Sequence, residues 1–250
     1  APKLFPQQDT DTLRKLRKVI SLEHKKMWTI ILQYVALPAV VVVTAVLLKP
    51  IVWPVIVTYP WRETDRVNKR TVILAGSYNP PHLGHLAMLE YLSKRYYRVI
   101  AVVGFNPNKK YDVTPEQRKT LLEAMVKTTA RTNIQVEVVD GLIWRYAKRE
   151  GATIFFRGIR SWAKDGADER ALQILNTWGP ILLGPLYWPI PTMYLEGNAI
   201  YNHVSSTLIR DLCKRAEGDD DDASKRQLAE LVPKEVVGMI SDFYRKKDEQ

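Results

Sequence analysis

A chain of 250 residues, 46% of them hydrophobic, can form one large domain or a medium domain with an appendage, and it has enough apolar mass for a true core. Its single cysteine, Cys213, excludes an intramolecular disulfide and any multi-cysteine metal site. The formal net charge of +10 points to anionic partners. The basic residues are spread along the chain and no nucleic-acid recognition motif accompanies them, so nucleic acid is not an expected partner.

Residues 1–27 are basic, with Lys3, Arg14, Lys15, Arg17, Lys18, Lys25 and Lys26 against Asp9, Asp11 and Glu23. Leu13, Leu16 and Ile20 recur at helical spacing behind a capping Asp9 or Thr10, which predicts an amphipathic helix from about Asp11. From Trp28 to Leu48 the composition changes: 21 positions pass without a charged residue. A bilayer core needs about 20 residues of helix, and Trp28, Lys49, Trp53 and Trp61 flank the run as interfacial anchors would. The expectation for 28–48 is a transmembrane helix kinked at Pro38; a helix buried in the core is the alternative. Residues 49–70 read as a Pro-rich interfacial segment, broken at Pro50, Pro54 and Pro60, followed by a charged linker. Because the chain starts at Ala1 with this basic leader, processing and an organellar address are expected, the mitochondrial inner membrane first among them.

From Thr71 the pattern alternates. Short β-rich runs (Thr71–Ala75, Arg98–Val103, Ile134–Val139, Thr153–Arg157, Pro191–Leu195) are separated by helical periods. One of these helices is announced by the capping box Thr114…Gln117, and another stops at Gly151. This predicts a Rossmann-like, doubly wound parallel α/β sheet over 71–250, with ligands beyond the carboxyl ends of its strands.

Every chemically suggestive motif falls at such an end. Gly76-Ser77-Tyr78-Asn79-Pro80-Pro81-His82-Leu83-Gly84-His85 follows the first strand. Gly76 is expected to turn the chain sharply and Gly84 to let backbone approach a ligand. His82 and His85 lie three apart at a helix start, where unpaired N–H groups attract anions. A metal pair is the competing reading, but no Cys or acidic ligand is adjacent in sequence. Asn106-Pro107-Asn108-Lys109-Lys110 follows the second strand and supplies mobile cations. Arg157-Gly158-Ile159-Arg160 follows the fourth and offers two guanidinium forks to phosphate. Ser205-Ser206-Thr207 can cap a helix and present hydroxyls and N–H groups together.

Together these residues resemble the nucleotidyltransferase superfamily of adenylyl and cytidylyl transferases. HxGH is its mark, and GSYNPPHLGH is also similar to nicotinamide mononucleotide adenylyltransferases. NPNKKYDVTPEQR, then Asp140-Gly141-Leu142, Tyr146-Ala147-Lys148 and Arg157-Gly158-Ile159-Arg160, resemble the phosphopantetheine adenylyltransferases in particular, as does Val204-Ser205-Ser206-Thr207-Leu208-Ile209-Arg210. The resemblance covers roughly 71–245 and leaves 1–70 without a counterpart. In the helix after Arg160 it holds only with one extra residue, and Gly166 and Ala167 stand where the family has an aromatic and a Glu.

The resemblance implies transfer of AMP from ATP to 4′-phosphopantetheine, giving dephospho-CoA and pyrophosphate, with Mg²⁺ accompanying the ATP and no protein metal site. It implies His85, Lys109 and Arg160 as catalytic residues. His82, Gly84, Glu169, Ser205, Ser206 and Thr207 would bind ATP, and Ser77 and Arg157 the acceptor phosphate. Two readings follow. One is a membrane-anchored adenylyltransferase, with ATP, a phosphopantetheine or CoA-like ligand and membrane lipid as partners. The other is an accessory subunit of a large membrane complex, a mitochondrial inner-membrane respiratory assembly being the natural candidate, that has recruited the domain with reduced or no activity.

Overall fold

The computed structural model describes residues 10–64, 66–104, 111–184, 187–215 and 221–245. They divide into two units, Ala1–Val52 and Trp53–Gln250.

The first unit is helical throughout its described length: α1 (Thr10–Ile31), a π-helical turn at Leu32–Ala36, and α2 (Leu37–Val52). The expected kink at Pro38 takes the form of that widened turn. Proline has no N–H to donate and its ring crowds the carbonyl four residues earlier. Here the Leu37 N–H reaches back five residues to Leu32 O, which opens the turn where the ring needs room. The predicted boundary at 27/28 therefore vanishes into one helical run. Its stretch Arg17–Ala45 is long and apolar enough to cross a membrane by length and composition, and none of its most apolar portion is buried in the protein.

The second unit is a six-stranded, wholly parallel sheet in the order β1-β6-β5-β2-β3-β4. Its strands are β1 (Val55–Val57), β2 (Asn68–Gly76), β3 (Tyr96–Gly104), β4 (Ile134–Val139), β5 (Ala152–Ile159) and β6 (Thr192–Glu196). Between and after them run α3 (Leu83–Arg95), α4 (Pro115–Lys127), α5 (Ile143–Arg149), α6 (Trp162–Leu182), α7 (Ser206–Arg215), α8 (Asp221–Leu231) and α9 (Val237–Tyr244). The five predicted strands are all present, and so is the Thr114–Gln117 capping box, with Thr114 Oγ1 accepting from the Gln117 N–H at 3.2 Å.

Successive residues of each strand point to opposite faces, and both faces are apolar. Val72, Leu74, Val99, Ala101 and Phe156 face a core closed by α3, α4 and α7–α9. Ile73, Ala75, Ile100, Val102 and Phe155 face a second core with Trp144 and Ala147 of α5. Cys213 is buried in the first core, and burial pushes its thiol up to about 11, so it packs rather than reacts.

The segment expected to be an interfacial stretch and linker is corrected. Val55-Ile56-Val57 pairs in parallel with Met193, Tyr194 and Leu195 as an added edge strand. The Trp61 indole N–H donates to Glu196 O at 3.0 Å and its ring lies 4.8 Å from that of Tyr91. Asn68–Arg70 already belong to β2. Three residues between prolines carry little strand signal, but an edge strand needs a partner on one side only, and prolines are tolerated at its ends. The sheet domain therefore begins at Trp53, not Thr71.

Candidate active site

From β2 the chain winds first to β3 and β4 on one side, then crosses back to β5 and β6 on the other. The crevice where this reversal occurs lies between the carboxyl ends of β2 and β5, where doubly wound sheets bind ligands. The loop after β2 leads into His82 and His85 at the start of α3, while Arg157 lies near the end of β5 and Arg160 just beyond it.

The β2 loop turns at Tyr78 rather than at Gly76. Tyr78 has φ +47°, in the left-handed region rarely used by large side chains. Its ring folds back under the strand, where its hydroxyl donates to Leu74 O at 2.9 Å. A side chain at Gly76 would meet that ring at 3.1 Å, so the glycine makes room for tyrosine. Tyr78 in turn props His85 edge-on, with ring centroids 5.0 Å apart.

His82 caps α3, and His85 is its third residue. Their rings lie 3.8 Å apart, and the His82 N–H donates to His85 Nδ1 at 3.3 Å. With Nδ1 accepting, the proton of neutral His85 sits on Nε2, where it can be donated to a ligand. Burial lowers His82 to about 4. Burial, and then the charge of His82, hold His85 well below the ordinary imidazole value. Both rings are therefore neutral donors at pH 7, not cations. Gly84 is needed for His82 itself: a Cβ there would lie 3.0 Å from His82 Cε1 and 3.1 Å from His82 Nδ1. The expected approach of ligand to backbone is an approach of imidazole to backbone.

The start of α7 is brought to this loop across the fold. Ser206 Oγ donates to Pro80 O at 2.8 Å, and Arg210 Nη1 donates to Asn79 O at 2.5 Å. The Tyr244 hydroxyl from α9 donates to Asn79 Oδ1 at 2.6 Å. Ser205 caps the helix by accepting from the Leu208 N–H at 3.1 Å, and Thr207 Oγ1 accepts from Arg210 Nη2 at 3.1 Å. The three hydroxyls thus shape the loop and the helix start. The first-turn N–H groups, which an α-helix leaves unpaired, remain the means of gripping an anion.

The arginine side is arranged differently. Arg157 donates through Nε and Nη2 to the two carboxylate oxygens of Glu169, at 2.8 and 2.7 Å, and through Nη1 to Ala75 O at 2.8 Å. Burial opposes the charge of Arg157, but the hydrogen bonds and charge of Glu169 outweigh it and hold the guanidinium more firmly protonated than usual. A phosphate can take this fork only by displacing the carboxylate. Arg160, largely exposed, grips Asp165 through Nε at 3.1 Å and Nη2 at 2.5 Å, and the Arg160 N–H also donates to Asp165 Oδ2. Burial pushes the Asp165 carboxyl up, but its bonds to Arg160 prevail and leave it below the ordinary carboxylate value.

Of the sequence-predicted residues, the fold gathers His82, Gly84, His85, Ser205, Ser206 and Thr207 around the Asn79–Pro80 turn. It sets Ser77 beside them at the end of β2, its hydroxyl 3.5 Å from that of Tyr111. It pairs Arg157 with Glu169 on one flank, and it turns Arg160 to Asp165. Lys109 lies outside the described residues. Sequence reasoning gave no role to four residues. Tyr78 and Tyr244 brace the histidine loop. Arg118, fully buried, donates to Ser77 O at 2.5 Å and Gly104 O at 3.3 Å while its guanidinium lies 4.3 Å from the Tyr111 ring. Asp165 holds Arg160. Arg118 closes the NPNKKYDVTPEQR motif, but nothing local marks an arginine that will be buried.

No group of three His, Cys, Asp or Glu able to hold a metal occurs among the described residues. The donors gathered at the crevice are imidazole, hydroxyl and backbone N–H, a set that suits phosphate oxygens.

Residues 73–212 match the family described as cytidylyltransferase-like. The match spans more than half of the chain, and the chain belongs to this family of nucleotidyltransferases. Among its relatives, the phosphopantetheine adenylyltransferase of Rhodopirellula baltica is 30% identical over 165 residues, 66% of this chain and 83% of that protein. The phosphopantetheine adenylyltransferase of Synechococcus sp. (strain JA-2-3B'a(2-13)) is 32% identical over 139 residues, 56% of this chain and 81% of that one. A solved structure of Plasmodium falciparum nicotinic acid mononucleotide adenylyltransferase complexed with NaAD aligns with 14% identity and a TM-score of 0.48, over 70% of this chain and 98% of that one.

Proposed function

We propose that the chain is a membrane-anchored adenylyltransferase that moves AMP from ATP to 4′-phosphopantetheine, giving dephospho-CoA and pyrophosphate. The observation that carries this reading is the convergence of the neutral His82–His85 pair and the start of α7 on one turn at the sheet's crevice. The relatives named phosphopantetheine adenylyltransferase support the choice of acceptor.

In this reaction a phosphate oxygen of the acceptor forms a bond to the α-phosphorus of ATP, and the bond from that phosphorus to the bridging oxygen breaks. Pyrophosphate leaves with the electron pair. No covalent enzyme intermediate is required, so the protein contributes position and charge stabilisation. His85 donates from Nε2 to an α-phosphate oxygen as charge gathers there. His82 donates alongside it. The α7 first turn, with Ser205, Ser206 and Thr207, receives the β- and γ-phosphates. Ser77 and Arg157 meet the acceptor phosphate, with Arg157 exchanging Glu169 for it. By the family resemblance, Lys109 would bridge the acceptor phosphate and the α-phosphate, and Arg160 would join the α7 start on the β- and γ-phosphates. Mg²⁺ fits as a passenger on ATP, since it keeps waters and phosphate oxygens as ligands and needs no protein cage; it offsets triphosphate charge.

The helix over Arg17–Ala45 supports anchoring by its length, composition and exposure. The basic leader supports an organellar inner membrane as the location. Alkaline extraction of membranes, with the chain remaining in the pellet, checks both once the organelle is isolated.

The decisive assay is dephospho-CoA formation by the purified chain, with nicotinamide mononucleotide as competing acceptor and His85→Ala as control. Turnover equal to that control sinks the enzymatic reading. A second reading, an accessory subunit of a membrane complex with little activity, is favoured by the carboxylates seated on Arg157 and Arg160. It requires that the chain co-purify in a stable assembly and that adenylyl transfer be low or absent.

A further inference from the structure

A pocket of about 450 Å³ lies between α5 and the end of α6. The segment beyond it leads into the amino end of β6, the end of the sheet opposite the histidines. Its walls carry Arg145, Lys148 and Arg149 with Trp144, Leu183 and Tyr187; no carboxylate lines it, and the nearest in sequence, Glu150, is paired with Arg149 Nε at 3.7 Å. The Arg145 Nη2 donates to Leu183 O at 3.0 Å, which fixes one cation at the wall while its remaining N–H groups stay available. Lys148 Nζ stands 5.7 Å over the Tyr187 ring. Trp144 forms the floor: a Cβ on Gly184 would lie 2.7 Å from its ring, so only glycine passes over it.

Around the mouth the surface is apolar. Leu182 is 72% exposed, Leu183 55%, Tyr187 46% and Trp188 66%. The outward side of α6 continues the patch through Ile174 and Leu175, both exposed, while the same helix buries Glu169 and Gln173 inward. An amphipathic helix normally does the reverse. Cations rimmed by exposed tryptophan and leucine match a membrane surface, where aromatic rings sit at headgroup level and lysine and arginine meet anionic lipid. A soluble phosphate would satisfy the cations and leave the apolar rim in water.

We propose that this pocket takes the phosphate headgroup of an anionic phospholipid, with Leu182, Leu183 and Trp188 entering the bilayer interface around it. The site is independent of the adenylyl-transfer reading and of whether the N-terminal helix inserts.

The test uses the full chain on lipid nanodiscs, after discs that retain it are isolated. An environment-sensitive fluorophore is placed at Trp188→Cys; Cys213, being buried, stays unlabelled. In discs of phosphatidylcholine with phosphatidylglycerol, the fluorophore is expected to shift to the blue and resist an aqueous quencher. In phosphatidylcholine alone it stays in water. The same label at the exposed Gln227→Cys on α8 stays in water in both. Lys148→Gln and Arg149→Gln each weaken docking about fivefold, with melting temperature checking that the fold survives. A fluorophore in water in both disc types overturns the proposal, and so does an equal shift in both. Binding of glycerol 1-phosphate to the detergent-solubilised chain, with no response to discs, also overturns it in favour of a small phosphate ligand.

Discussion

The two flanks of the crevice handle charge in opposite ways. On the β2 side the groups aimed at a ligand are neutral donors: two imidazoles kept unprotonated by burial, and the N–H groups of two helix starts. On the β5 side they are full cations, each already matched by a carboxylate of α6. Neutral donors need no counter-ion, so that flank can stand ready without a ligand. A buried guanidinium needs acceptors, because desolvating an unpaired charge costs several kcal/mol; Arg118 finds them in the Ser77 and Gly104 carbonyls. Glu169 meets that need for Arg157. One flank is therefore preorganised for phosphate, and the other must exchange one anion for another.

The largest expected effect comes from removing the internal anion. Glu169→Ala leaves Arg157 as an uncompensated buried charge and should cost about 3–5 kcal/mol of stability in urea denaturation. Inorganic phosphate should restore part of it, by taking the vacated fork. A variant as stable as the parent would show that the two flanks do not differ in this way. Next comes His85→Ala, which deletes a donor without exposing a charge. Turnover should fall about 10²–10³-fold while urea stability changes little, and unchanged turnover would remove the β2 flank from the chemistry.

Acid separates the flanks by sign and by range. His82, lowered from 6.5 to about 4 in the folded chain, takes up its proton more readily when unfolded. Its contribution is fully present above pH 6.5 and is lost as the pH falls towards 4, on the order of 1–2 kcal/mol for a half-buried ring. Asp165 is also depressed, from 3.8, so its contribution is lost only below that value. Stability measured against pH should thus decline in two stages, and His82→Asn should shrink the first, leaving the share of His85, without touching the second. A single stage below pH 4 would mean that the imidazoles are not held neutral. The smallest effect is expected from Gly84→Ala. The added methyl presses on the His82 ring, which can rotate aside at about 1 kcal/mol. KM for ATP should rise while melting temperature barely moves, and an unchanged KM would free His82 from any part in nucleotide binding.

How far the sequence could be read depended on whether the information was local. The alternation from Thr71 to Leu195 was legible because each buried strand and each amphipathic helix carries its own period. The Thr114–Gln117 capping box was legible because its two hydrogen bonds close within three residues. Val55-Ile56-Val57 was not, since three residues become a strand only when β6 offers an edge. Tyr78 was hidden because its conformation is imposed by the space beneath β2 and not by the residue type. Arg157 and Glu169 were both singled out as ligand-binding residues, twelve positions apart, yet nothing in their spacing says that they bond to each other.

The sequence by itself determined the membership of this chain in a nucleotidyltransferase family, the strand–helix alternation and the set of groups available for phosphate, because motif, period and capping act over short spans of chain. The tertiary structure decided which of those groups stand ready. Burial turned His82 and His85 into neutral donors. The docking of α6 on β5 gave each arginine a carboxylate. The same packing left the outer side of α6 apolar and a cation-lined pocket at its end. Desolvation and pairing depend on what surrounds a group in space, and only the folded chain supplies those surroundings.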